Sequence, residues 1–156
     1  MFDQINGLPV HVLVLHAAVV FVPLLALGAI VYALVGSWRP KIGWAVLLLG
    51  IVAPICTFVA KESGEKLYDR LAPNMADASR KMLDQHQGFG SDTFLWTLAL
   101  GVVSIVTVAL TSREKSSLPK VAQWVLSAAM IVLAVIAGYY VYRTGDSGAK
   151  TVWGSS

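Results

Sequence analysis

The sequence predicts an all-α integral membrane protein, four transmembrane helices in a bundle with an amphipathic helical segment between helices two and three. Three observations predict it. The chain is 56% hydrophobic and only 13% charged, against about 25% charged residues in an average soluble domain. Nine acidic and twelve basic side chains cannot cover the surface of a 156-residue chain, so part of its solvent must be lipid. Four uncharged runs each approach the roughly 20 residues that a helix needs to cross a bilayer core. Charged residues bracket those runs: Lys41, Lys61, Asp92, Arg113, Lys120 and Arg143 flank the last three.

The first span lies at about residues 9–35, its helix beginning near Pro9 because proline suits the first turn. The second is residues 42–60, the third 93–112 and the fourth 121–142, all within one domain covering 1–156. In lipid every backbone polar group must bond internally, so the spans are helical. The opening MFDQINGLPV carries Asp3 and no lysine or arginine, so the first helix is expected to be retained rather than cleaved. Pro23 and Pro54 fall inside spans one and two, where each frees a carbonyl and kinks its helix. No internal repeat is visible, and the spans carry no charged residue; both argue against a transporter.

Residues 61–92 form the one sizeable piece outside the spans. KESGEKLYDRL either continues helix two or makes a short surface helix, and Pro73 breaks it. Asn74 can cap a second helix from Met75 to about Gln87, ended by Gly88 and Gly90. Met75, Met82 and His86 share one face of that helix, which reads as amphipathic and lying on the membrane surface. Beyond Tyr142, the glycines and Asp146–Ser147 predict a turn, followed by a segment anchored at Val152 and Trp153.

The two short loops carry Arg39, Lys41, Arg113, Lys115 and Lys120 against the single acid Glu114. The other side has seven basic residues against eight acids, spread over a longer sequence. The positive-inside rule then puts the short loops in the cytoplasm and both termini outside a bacterial plasma membrane. Trp38, Trp44 and Trp124 at one end, and Trp96, Tyr139, Tyr140 and Tyr142 at the other, match interfacial belts. Ala29 with Ala33, and Ala134 with Gly138, are small residues at spacings that permit close helix packing. The lone Cys56 excludes an intramolecular disulfide, and the scattered basic residues give no footprint for nucleic acid.

Three histidines are the candidates for chemistry. His11 and His16 are five apart in the first span, about 140° around a helix, so a straight helix cannot direct both at one ion. His11 lies at the interface, where simple solvation accounts for it. His16 sits deeper, where an imidazole either hydrogen-bonds across helices or ligates a haem iron. His86 falls on the same side of the membrane. The pair expected to close over a b-type haem is therefore His16 with His86, with Met82 one turn earlier as an alternative axial ligand. His11, His86, Met75 and Met82 could also form a copper site, since thioethers and imidazoles suit Cu(I). No nucleophile with a neighbouring base, no phosphate loop and no HExxH zinc motif is present.

The stretch HVLVLHAAVVFVP, together with His86 and the tail GDSGAKTVWG, resembles a bacterial family of predicted membrane proteins, the domain of unknown function two-two-three-one. That family opens its first span with a pattern of the form HPxxVHFP. Here the two histidines keep the same offset, while Val12 stands for the proline and Ala17 for the phenylalanine. The tail is similar to the ending of actinobacterial members. The resemblance covers nearly the whole chain, implies the four-helix fold and marks His11, His16 and His86, but names no reaction. Relatives that occur beside cytochrome-like domains make it imply a redox association. Two functions are therefore expected: membrane electron transfer through haem at the outer face, or a non-catalytic accessory subunit of a larger membrane (respiratory) complex.

Overall fold

The computed structural model describes residues 4–5, 8–112 and 118–153, with side chains described from His11 to Thr151 apart from Val12 and the 113–117 loop. Arg113, Glu114 and Lys115 of the third loop, Asp3, Gly154 and the side chains of Val152 and Trp153 lie outside that description. A two-residue antiparallel ladder, β1 (Gln4–Ile5) with β2 (Leu8–Pro9), leads into α1 (Val10–Leu34). A 3₁₀ turn over Gly36–Trp38 connects to α2 (Arg39–Leu71), and a second over Ala72–Asn74 precedes α3 (Asp77–Thr111). The last helix, α4, runs over Lys120–Trp153. All four helices are long and apolar enough to cross a membrane.

Each helix packs on its sequence neighbours and α1 also packs on α4, so the bundle is a closed up-down ring with α1 and α3 on its diagonal. Val22, Leu25 and Tyr32 of α1, Val46 of α2, Leu100 of α3 and Met130 of α4 are fully buried at its centre. The outside is apolar on every helix, and Trp44 and Trp124 are 69% and 75% exposed, as lipid-facing anchors require. Trp96 and Tyr140 instead stack on each other, 6.4 Å apart at 15°, joining α3 to α4.

At the short-loop end the turn is locked by Arg39. Its Nε donates to the Tyr32 carbonyl at 3.0 Å and its Nη2 to that of Ala33 at 3.3 Å. These carbonyls belong to the last turn of α1, which has no helical donors of its own. Pro40, in the first turn of α2, costs no hydrogen bond there.

At the opposite end KESGEKLYDRL takes the first of its two alternatives: α2 continues to Leu71, a 33-residue helix about 50 Å long, with Lys61 and Glu65 paired at 2.7 Å. Two other features depart from the sequence reading. The following segment is no separate helix lying on the surface. Gly88 and Gly90 sit inside α3, which runs unbroken from Asp77 into the apolar run and stands upright against α2. Tyr68 donates to the Asp84 carboxylate across this hairpin. Likewise α4 passes through Gly145 and Gly148 without the predicted turn. Its hydroxyls bond back along the helix, Thr144 to the Tyr140 carbonyl at 2.9 Å and Ser147 to that of Thr144 at 3.1 Å. Packing between four helices outweighs the roughly 1 kcal/mol that each helical glycine costs.

Close packing also falls elsewhere than expected. Ala29 and Ala134 are buried, but a Cβ at Gly138 would meet nothing within 4 Å among the described residues. The tight crossing is Gly50 of α2 against Gly101 of α3, where a Cβ on Gly101 would lie 2.5 Å from the Gly50 carbonyl oxygen.

The inner face of α3 carries Thr93, Thr97, Ser104 and Thr107, all buried. Thr93 and Thr107 bond back to the carbonyls of Phe89 and Val103. The hydroxyls of Thr97 and Ser104 have no hydrogen-bond partner among the described residues. An orphaned buried hydroxyl costs on the order of 1 kcal/mol, so Thr97→Val and Ser104→Ala should each raise the unfolding midpoint in an SDS titration. A lower midpoint for both would show that the hydroxyls are bonded in the folded protein.

Candidate functional site

The long ends of α2, α3 and α4 and the first three turns of α1 surround a cavity of about 500 Å³. Its walls are largely apolar, with Leu15, Val19, Leu83 and Val141 among them, and two imidazoles face into it, His11 and His86. The rings are 6.4 Å apart, centre to centre, with planes at 85°. They come from the diagonal helices, so the cavity lies near the middle of the ring.

Each imidazole is fixed by the helix that follows its own in the chain. His11 Nδ1 lies 2.9 Å from the Ala60 carbonyl oxygen, which can only accept, so Nδ1 carries the proton. Ser63 donates its hydroxyl to the carbonyls of Val59 and Ala60 and leaves its lone pairs toward His11 Nδ1 at 3.4 Å. His86 repeats the arrangement. Its Nδ1 donates to Ser147 Oγ at 3.0 Å, because the Ser147 hydroxyl proton is used on the Thr144 carbonyl. A hydrogen bond that pins Nδ1–H leaves Nε2 as a bare lone pair, the form in which imidazole binds a metal or accepts a proton.

Glycine lets each ring reach this position. A Cβ on Gly64 would sit 3.0 Å from His11 Cε1, and one on Gly148 would sit 2.9 Å from His86 Cε1. Beneath His86 the hydroxyl oxygens of Thr93 and Thr144 lie 2.8 Å apart, and a bond between them ties α3 to α4 when either one turns its proton from its own helix carbonyl to the other. His86 lies seven residues before the apolar run that begins at Thr93. Burial, and to a smaller degree the neighbouring His11, push its pKa below the ordinary imidazole value, while the Thr144 carbonyl works the other way.

The structure therefore brings together His11 and His86, and not His16 and His86. His16 is exposed and is not among the residues lining the cavity. The reason is one of height. Because α3 continues upright through Gly88 and Gly90, His86 stands about two turns above its apolar run, level with the first turn of α1. Met82 is 39% exposed and does not line the cavity, whereas Met75 does. Among the described residues, no group of three or more His, Cys, Asp or Glu side chains is placed to hold a metal ion. Sequence reasoning missed Ser63–Gly64 and Ser147–Gly148, although one signal marks them: Ser-Gly-x-Lys occurs at 63–66 and again at 147–150.

A family model described as "Predicted membrane protein (DUF2231)" matches residues 7–156. No curated protein and no solved structure matches the chain.

Proposed function

The chain belongs to the predicted-membrane-protein family DUF2231, and within that membrane frame we propose that its mouth is a two-histidine haem site serving electron transfer, with His11 and His86 as axial ligands. The observation that carries this reading is the facing pair of imidazoles, each held by its Nδ1–H with Nε2 bare. Two imidazoles bound to opposite sides of one metal through bonds of about 2.0–2.1 Å have ring centres about 6.3 Å apart. The rings here are 6.4 Å apart.

The donor set selects the kind of centre. Two nitrogens leave a simple cation under-coordinated, and no third His, Cys, Asp or Glu joins them among the described residues. A porphyrin supplies the remaining four nitrogens, and apolar walls around about 500 Å³ suit its faces. Haem, when held by His11 and His86, would supply one-electron chemistry. The protein's part is to hold two imidazoles in fixed orientation and to exclude water. Titrating the purified full-length protein with haemin should give one low-spin, six-coordinate haem per chain, reducible by dithionite. Haemin that partitions only into detergent would end this reading.

The site faces outward, across a bacterial plasma membrane, with both termini outside. The basic short loops support this orientation, because positive residues are retained in the cytoplasm. A reporter active only outside the cytoplasm should work when inserted near Pro73 and fail when fused after Ser117. The opposite pattern would turn the site inward.

A further inference from the structure

The chain repeats itself. The offset of 75 that carries His11 onto His86 also carries the buried face of α1 onto that of α3. Ala18, Val22, Leu25, Ala26, Ala29 and Tyr32 answer to Thr93, Thr97, Leu100, Gly101, Ser104 and Thr107, and all twelve are buried. The offset of 84 that carries Ser63–Gly64 onto Ser147–Gly148 does the same for the other two helices. Val46, Gly50, Ala53 and Thr57 of α2 answer to Met130, Ala134, Ala137 and Val141 of α4, again all buried. Both offsets are set by residues of the site alone, so their agreement with burial along the full height of the bundle is independent.

The contacts repeat as well as the positions. In each hairpin the histidine comes from the first helix, its Nδ1 faces a serine of the second, and its ring lies against the glycine that follows. Each serine hydroxyl bonds back to its own helix, which turns its lone pairs toward the imidazole. Both first helices run from the mouth toward the short-loop end, so a rotation about the bundle axis relates the hairpins. Parallel repeats of this kind are known in membrane bundles, with ligands at the repeat interface.

We infer that the protein is an internal duplication of a helical hairpin, and that its mouth is a two-fold site in which Ser63–Gly64 and Ser147–Gly148 are equivalent positioning elements. Such a site takes a ligand with two equivalent faces, and a metalloporphyrin is of that class. That choice of ligand rests on the haem reading above; the equivalence of the half-sites does not. The halves have also diverged. Four of the six α3 positions are threonine or serine where α1 has Ala18, Val22, Ala29 and Tyr32, so the hydroxyl stripe on α3 is not a requirement of the packing.

The test uses the full chain labelled with ¹⁵N-histidine and no haemin, where nitrogen chemical shifts report which ring nitrogen is protonated. His11 and His86 should both be Nδ1–H tautomers. Ser63→Ala should perturb the His11 resonances alone and Ser147→Ala those of His86 alone, with serine-to-threonine variants restoring the pattern. Gly64→Ala and Gly148→Ala should displace their own rings alike, while Gly138→Ala, with nothing within 4 Å of its added carbon, should not. An Nε2–H tautomer at either histidine, or a response to the variants of only one half, would overturn the equivalence. A second arm adds haemin. The two glycine variants should weaken its binding by similar factors, about 10- to 100-fold, as outer-shell changes commonly do. Intact tautomers with no haemin binding would support the half-sites and sink the haem reading, so the two failures are distinguishable.

Discussion

Gly101→Ala should cost most of the protein's stability, although it adds a single methyl group. The added carbon would lie 2.5 Å from the Gly50 carbonyl oxygen and 3.0 Å from Pro54 Cγ. Neither neighbour can move cheaply, since one is backbone and the other a proline ring. Pro54 explains the close approach. It has no N–H, so the carbonyl four residues earlier, that of Gly50, loses its helical donor. Gly101 lets α3 come close enough to cover that carbonyl with a Cα–H contact. Relief requires the two helices to separate along a crossing that also holds Gly43 against Tyr32 and Val108. Overpacking of a tight core costs about 1–3 kcal/mol, and backbone displacement puts this case at about 3 kcal/mol or above. Against a total of about 5–15 kcal/mol, the variant should show a sharply lower SDS midpoint and a poor yield of monodisperse protein. Gly138→Ala is the matched control and should behave as the parent chain. A Gly101→Ala protein as stable as the parent would show that α2 and α3 do not cross here.

The second large effect is on the site. On the haem site proposed above, His11→Ala and His86→Ala would each remove one iron ligand and leave its partner with an empty opposite face. Haemin affinity should fall by about 100-fold or more in either variant, and the residual complex should be high-spin. The double variant should bind haemin more weakly than either single one, because it loses the last protein ligand to the iron. His16→Ala should leave affinity within a few-fold of the parent, since His16 does not line the cavity. If His16→Ala carried the loss instead, α1 would have to be rotated from the orientation seen here.

The bundle was legible because charge is intolerable inside lipid. Lys61, Asp92, Lys120 and Arg143 mark the apolar runs as clearly as any contact in the structure. What lies beyond those marks was less legible, for one physical reason. Gly88, Gly90, Gly145 and Gly148 look like helix ends when helices are judged singly, and here they lie inside helices that support one another. The error at Gly88 and Gly90 carried through to the site: with α3 broken, His86 is free to be matched with the deeper His16, and with α3 continuous its height matches His11. The small pairs Ala29–Ala33 and Ala134–Gly138 were visible as spacings, but the contact of Gly50 with Gly101 depends on a carbonyl freed by Pro54. The duplication escaped notice because little sequence identity survives in it beyond the histidines and Ser-Gly-x-Lys. It is written in which positions are buried.

If His11 and His86 are two ends of one haem site, the low-temperature EPR spectrum of the ferric, haemin-loaded full-length protein reads it out. Two imidazoles on one iron give a low-spin signal, and planes at 85° give the strongly anisotropic form of it. That signal should appear in the parent chain and in His16→Ala, and should be replaced by an axial high-spin signal in His11→Ala and His86→Ala. A high-spin signal in the parent chain, or a low-spin one that survives loss of either histidine, would contradict the account.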